Sequence, residues 1–166
     1  MKEKQNNYAF IDSQNLNLSI KSLGWKINFY AFRHYLQNRY NIERAFLFFG
    51  EIQNQQTMYN SLKKAGFEII FKKVIERDKK TKGNIDIDMA IWTMHYLYNV
   101  KETFDKAMLI TGDGDFYSLA DYLKERDKLL TIGIPNRDMY SILLRKFDKF
   151  FISDWRTKIE FKKRKK

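Results

Sequence analysis

Five aspartates have surroundings that suit chemistry. Asp12 closes the apolar run Tyr8-Ala9-Phe10-Ile11. Asp113 and Asp115 follow a second run, in Thr111-Gly112-Asp113-Gly114-Asp115-Phe116, and Asp86 and Asp88 open a largely apolar stretch from Ile85 to Tyr98. Carboxylates gathered at one place repel one another at neutral pH, and a bound cation removes that penalty. The chain has no cysteine and two histidines, so its donors are hard oxygens, which suit Mg²⁺ or Mn²⁺ better than zinc. Such an ion lowers the pKa of a bound water and stabilises charge growing on a phosphoryl group, and phosphodiester hydrolysis needs both. Each acid also has an ordinary structural role open to it. Asp86 and Asp88 suit a helix N-terminus, where negative charge is favoured, and Asp113 or Asp115 suits a turn beside glycine. For Asp88 the capping role is the better one, because at about 100° per residue it points well away from Asp86.

Bringing these acids together requires elements that end at a common edge. Tyr8–Ile11, Arg44–Phe49, Phe67–Phe71, Lys106–Thr111 and Leu129–Ile134 read as strands, with Lys149–Ile152 as a short last one. They are continuous apolar runs rather than alternating ones, which is the pattern of strands covered on both faces. Helices are expected over Asn28–Asn38, Gln53–Lys64, Ile85–Tyr98, Phe116–Glu125 and Asp138–Lys146. Alternating strands and helices imply a three-layer α/β/α sandwich around a mainly parallel sheet of about five strands. In such sheets ligands bind beyond the carboxyl ends of the strands, near the point where strand order reverses. Asp12 and Asp113 both fall where a strand ends.

The 166 residues, 44% hydrophobic and 16% aromatic, suit one domain, assigned to residues 1–155, followed by a basic tail over 156–166. The net charge is +11, with seven basic residues against one acid in that tail and six against two in the loop Lys72–Lys82. Positive surface fits a polyphosphate partner, and a merely solubilising surface fits the charge about as well. Lack of cysteine excludes disulfides, thiolate metal sites and cysteine nucleophiles. With no apolar run long enough for a signal peptide or a membrane span, cytoplasmic residence is the default. Gly112-x-Gly114 lacks the third glycine of a dinucleotide fingerprint, and no Gly-Lys-Ser/Thr is present. His34 and His95 are isolated. Trp25, Tyr30, Phe32 and Tyr35 could stack bases, but their spacing fits a core better.

Three segments resemble the NYN domain, a branch of the PIN-like nuclease superfamily that includes the LabA-like proteins. Phe10-Ile11-Asp12-Ser13-Gln14-Asn15-Leu16 is similar to its strand-one motif. Lys82-Gly83-Asn84-Ile85-Asp86-Ile87-Asp88 is similar to its helix start, and Leu109-Ile110-Thr111-Gly112-Asp113-Gly114-Asp115-Phe116 to its Ser-Gly-Asp-Gly-Asp-Phe. The resemblance runs from about Tyr8 to Ile152. It implies a PIN-like sandwich and Mg²⁺- or Mn²⁺-dependent ribonuclease chemistry, with Asp12, Asp86, Asp113 and Asp115 as catalytic and metal-binding acids. Asn15, Ser13, Thr111 and Lys82 would then lie along the substrate path, single-stranded RNA would be the partner, and a homodimer is compatible. Two positions depart from the pattern: Ser13 stands where glycine is usual, and Trp92 where many members carry a further aspartate.

Three readings follow. A metal-dependent ribonuclease leads. A non-catalytic RNA-binding or scaffold module with the same fold comes second, on the strength of Ser13 and Trp92. A small-molecule phosphatase comes last, because Asp12-Ser13-Gln14 lacks the second acid of an Asp-x-Asp pair.

Overall fold

The apolar runs form a six-stranded sheet, wholly parallel, in a computed structural model that describes residues 5–50, 55–71 and 85–162. In chain order the elements are β1 (Asn7–Asp12), α1 (Ser13–Ser22), α2 (Phe29–Tyr40), β2 (Ile42–Phe49), α3 (Gln56–Lys64) and β3 (Glu68–Phe71). There follow α4 (Ile85–Tyr98), β4 (Ala107–Ile110), α5 (Tyr117–Glu125), β5 (Leu129–Ile134), β6 (Lys149–Phe151) and α6 (Arg156–Ile159). Strand order is β3-β2-β1-β4-β5-β6. The chain builds outward from β1 to one edge, then returns to the other side of β1 at β4, so the order reverses between the two central strands. Their carboxyl ends carry Asp12 and the Thr111–Asp115 turn.

Alternate residues of β1 feed two cores. Ala9 and Ile11 pack with Leu16 and Ile20 of α1, Phe32 and Leu36 of α2, and Trp155. Tyr8 and Phe10 pack with Phe46 of β2, Met89 and Tyr96 of α4, and Leu119 and Leu123 of α5. This second core is aromatic: Phe10 stacks on Phe46 at 5.3 Å between ring centroids, and Phe46 on Tyr96 at 5.1 Å. Fully burying one such ring contributes roughly 1.5–3 kcal/mol. Burial on both faces explains why the strands read as unbroken apolar runs.

β6 falls where a short last strand was expected, and brings the sheet to six strands against about five; the structure departs from the sequence reading in other places. α1 was not foreseen. Its residues Leu16, Leu18 and Ile20 alternate as in a strand, yet Asp12 caps it by accepting from the Asn15 backbone N–H. The helix expected over Asp138–Lys146 shrinks to a single 3-10 turn at Ile142–Lys146. Asn136 and Ser141 hydrogen-bond the nearby backbone N–H groups of Asp138 and Leu143, and such local bonds compete with helix formation. Residues 156–162 do not simply trail from the domain: Ile159 is buried, its carbonyl accepts from Asn28, and Phe161 donates to Lys26. Trp25 and Phe32 are core as expected, whereas Tyr30 is 52% exposed. The loop Lys72–Lys82 lies outside the described residues.

Candidate metal centre

Two turns and one helix start converge beyond the carboxyl ends of β1 and β4. After β4, Thr111 is fully buried and Gly112 and Gly114 alternate with Asp113 and Asp115. Asp113 caps the 3-10 turn Gly114–Phe116 by accepting from the Asp115 N–H at 3.0 Å. That bond bends the chain back so that both aspartates serve one place. On the far side Asp86 lies in the first turn of α4. One carboxylate oxygen from each of Asp86, Asp113 and Asp115 lies within 4.8 Å of the other two. Asp88, two residues on, does not join them.

Asp12 stands beside this trio without being one of its three members, and it is 7% exposed. Its Oδ1 accepts from the Asn15 N–H at 3.0 Å and its Oδ2 from the Thr111 hydroxyl at 3.1 Å. Burial pushes the Asp12 carboxyl above its ordinary range; the bonds from Asn15 and Thr111 oppose that rise, and the charge of Asp113 adds to it. Asp86 is raised as well, first by burial, then by Asp12, Asp113 and Asp115. The four acids therefore sense one another electrostatically. The site disfavours its own negative charge, a condition that a cation relieves.

A rigid frame holds the acids. The Thr111 hydroxyl donates to Asp12 and accepts from the Asp113 N–H at 3.1 Å, so one buried oxygen joins the two strand ends. Asn15 reaches across from α1, its Oδ1 accepting from the Gly112 N–H at 2.7 Å. Thr111 and the Asn15 carbonyl oxygen, expected along the substrate path, both brace the turn. Ser13 is buried, and its hydroxyl has no hydrogen-bond partner among the described residues. Lys82 lies outside the described residues. Trp92 packs against Phe46 and Tyr96 in the aromatic core. His95 is exposed and its ring contacts Trp92, in keeping with a surface role.

The 139–143 segment was missed by sequence reasoning. The Ser141 N–H donates to the Gly112 carbonyl at 2.9 Å, clamping the turn from outside. A Cβ at Gly114 would come within 2.4 Å of the Ser141 hydroxyl oxygen, so glycine is required there for close approach. The signal was present in the alternation of glycine and aspartate, but it did not say which segment the glycines admit.

A parallel sheet with acids at its central strand ends is the arrangement of a PIN-like nuclease fold. The sequence pattern of the NYN domain matches residues 8–154, and the chain belongs to that family, within the PIN-like superfamily. It is similar to the low amplitude and bright protein LabA of Synechococcus elongatus, with 26% identity covering 91% of this chain and 86% of that protein. In fold it is similar to a crystallised protein of unknown function from Vibrio parahaemolyticus, at a TM-score of 0.76 and 19% identity, covering 97% of this chain and 99% of that one.

The donor set fits the divalent ions that such nucleases use. Asp86, Asp113 and Asp115 offer hard carboxylate oxygens at spacings one small ion can bridge, and Asp12 adds negative charge alongside. Among the described residues no helix is long and apolar enough to cross a membrane.

Proposed function

We propose that this protein is a metal-dependent ribonuclease hydrolysing phosphodiester bonds of single-stranded RNA. The observation that carries the reading is the meeting of Asp86, Asp113 and Asp115 within 4.8 Å at the switch point of an NYN sheet. Those three residues, with Asp12 beside them, would hold Mg²⁺ or Mn²⁺, which when bound supplies an acidified water and neutralises charge on the phosphate. The chain's own part is to fix the acids. Asp113 is held by its own cap and by Thr111, Asp12 by Asn15 and Thr111, and the whole turn by Asn15 and Ser141. Exposed Met139, Ile142 and Leu143 beside the Gly114 turn offer an apolar ledge on which an unpaired base could rest, which favours single strands over duplexes. The basic loop Lys72–Lys82 and the basic C-terminal end would draw in the strand.

Single-stranded RNA incubated with the purified protein and Mn²⁺ or Mg²⁺ should be cut, and Asp113→Asn should abolish cutting while remaining folded by circular dichroism. Equal rates from a folded Asp113→Asn would refute the proposal. Trp92, packed into the core where many relatives place an acid, favours a second reading as a non-catalytic RNA-binding module. That reading expects salt-sensitive RNA binding with no turnover under either metal.

A further inference from the structure

On the other face of the sheet from α4, the outer surface of α2 carries a groove of about 560 Å³ lined by Ala31, His34, Tyr35, Asn38, Arg39 and Lys158. That volume falls in the range of small-ligand sites. Ala31, His34, Tyr35 and Asn38 share one helical face by their spacing, and Lys158 is brought to it by α6, which packs along α2. The short Ala31 side chain leaves the depression open. Asn38 holds the His34 ring, with Asn38 Nδ2 2.8 Å from His34 Nε2. The Tyr35 ring is fixed between Trp155, 4.2 Å away between centroids, and the Lys158 ammonium, 5.2 Å from its centre.

None of the six lining residues is acidic. Among the described residues neither Arg39 nor Lys158 forms a salt bridge. Arg44 pairs with Glu68, Arg137 with Asp154 and Arg156 with Glu160, while Arg33 is spent on the carbonyls of Ile42, Glu43 and Gly66. Arg39 is engaged by its neighbour Tyr40, through a side-chain hydrogen bond and a contact with the ring, and among the described residues by no carboxylate. Two cations on either side of an imidazole, an amide and a phenol present donors to an anion and a ring surface to whatever bears it. A guanidinium not already paired with a carboxylate suits phosphate oxygens in particular.

We infer that this groove is a second ligand site, binding a phosphate group through Arg39 and Lys158, separate from the acidic centre. The phosphate can come from a free nucleotide or from an RNA strand. The inference does not depend on hydrolysis, because the groove shares no residue with the aspartate cluster.

The two histidines provide the readout: His34 lies in the groove and His95 on α4 serves as internal reference. Imidazole proton NMR of the full chain, in EDTA at fixed pH and ionic strength, follows titration with inorganic phosphate, 5′-AMP and a 12-nucleotide RNA. Saturable movement of the His34 signals with His95 unmoved is expected, at least about tenfold weaker in Arg39→Ala and in Lys158→Ala and lost in the double variant. Both side chains are exposed, so the substitutions open no core. Response to phosphate and AMP identifies a free-anion site, and response to RNA alone identifies a strand site. Absence of His34 movement with all three ligands, or an unchanged response in the double variant, overturns the inference. Since EDTA prevents metal-dependent cleavage, the result stands whether or not the protein cuts RNA.

Discussion

Replacing Asp86 by asparagine should make the metal-free protein more stable, not less. Asp86, Asp113 and Asp115 place carboxylate oxygens within 4.8 Å of one another. At that separation two like charges repel by about 1 kcal/mol in a water-like dielectric and about 3.5 kcal/mol at an effective dielectric of 20. Asp113 and Asp86 are half-buried and Asp115 is exposed, so the lower figure applies. Removing the Asp86 charge deletes two of the three repulsions, a gain of about 2 kcal/mol. The raised pKa of Asp86 gives the sign: burial and its acidic neighbours outweigh what its charged form gains from other contacts. For a chain of this size the gain corresponds to a rise in Tm of about 4–8 °C. Calorimetry in EDTA at pH 7 measures it. Saturating Mn²⁺ should then reverse the order, since an ion at a hundred times its Kd adds about 2.7 kcal/mol to the wild type and less to the variant. Acidification offers a second check. A carboxyl whose folded pKa exceeds 3.8 binds more protons in the native state between the two values. The wild type therefore recovers stability as pH falls through the folded pKa, with recovery complete below 3.8, and the gap to Asp86→Asn closes. A metal-free Asp86→Asn protein that melts below the wild type at pH 7, or equal stabilisation of both by Mn²⁺, would refute the reasoning.

Thr111→Val should lose both the bond to Asp12 and the acceptor for the Asp113 N–H, lowering stability by about 1–3 kcal/mol and weakening Mn²⁺ binding in a thermal-shift titration. Thr111→Ser should restore most of each. Gly114→Ala should displace Ser141 and the turn it clamps, cutting RNA cleavage at least tenfold with a smaller loss in Tm; unchanged cleavage would show that the clamp is dispensable. Arg44→Gln should lower stability by about 1–2 kcal/mol in urea melts, because it breaks the paired bonds to Glu68, at 2.7 Å each, and removes a cation lying 4.8 Å from the Tyr96 ring.

The sheet was legible in the sequence because burial on both faces leaves little choice of residue. Leu129–Ile134 is the observed β5 to the residue, and the other apolar runs fall within a residue or two of their strands. The acids were legible because they stand where those runs stop. What escaped depends on contacts between distant segments. α1 hides behind polar residues and becomes a helix by docking Leu16 and Ile20 on β1 and by taking Asp12 as its cap. Asp86 and Asp88 do lie in the first turn of α4, where negative charge is favoured, but the side-chain caps made by Asp12 and Asp113 were not foreseen. Asn15 and Thr111, read as lining the substrate path, also brace the turn, and no spacing rule reveals that an amide on α1 will meet the Gly112 N–H. The α2 groove has no motif at all; its residues come from one helix face and a lysine more than a hundred positions away.

The Thr111–Asp12 bond spans 99 positions of sequence, and the Asn15–Gly112 bond spans 97. During synthesis at ~5–20 residues per second, the first strand leaves the ribosome several seconds before the turn that completes its acidic neighbourhood. A partly made chain thus carries Asp12 but no assembled cluster. Any activity that needs all four acids would arise only once most of the domain has emerged.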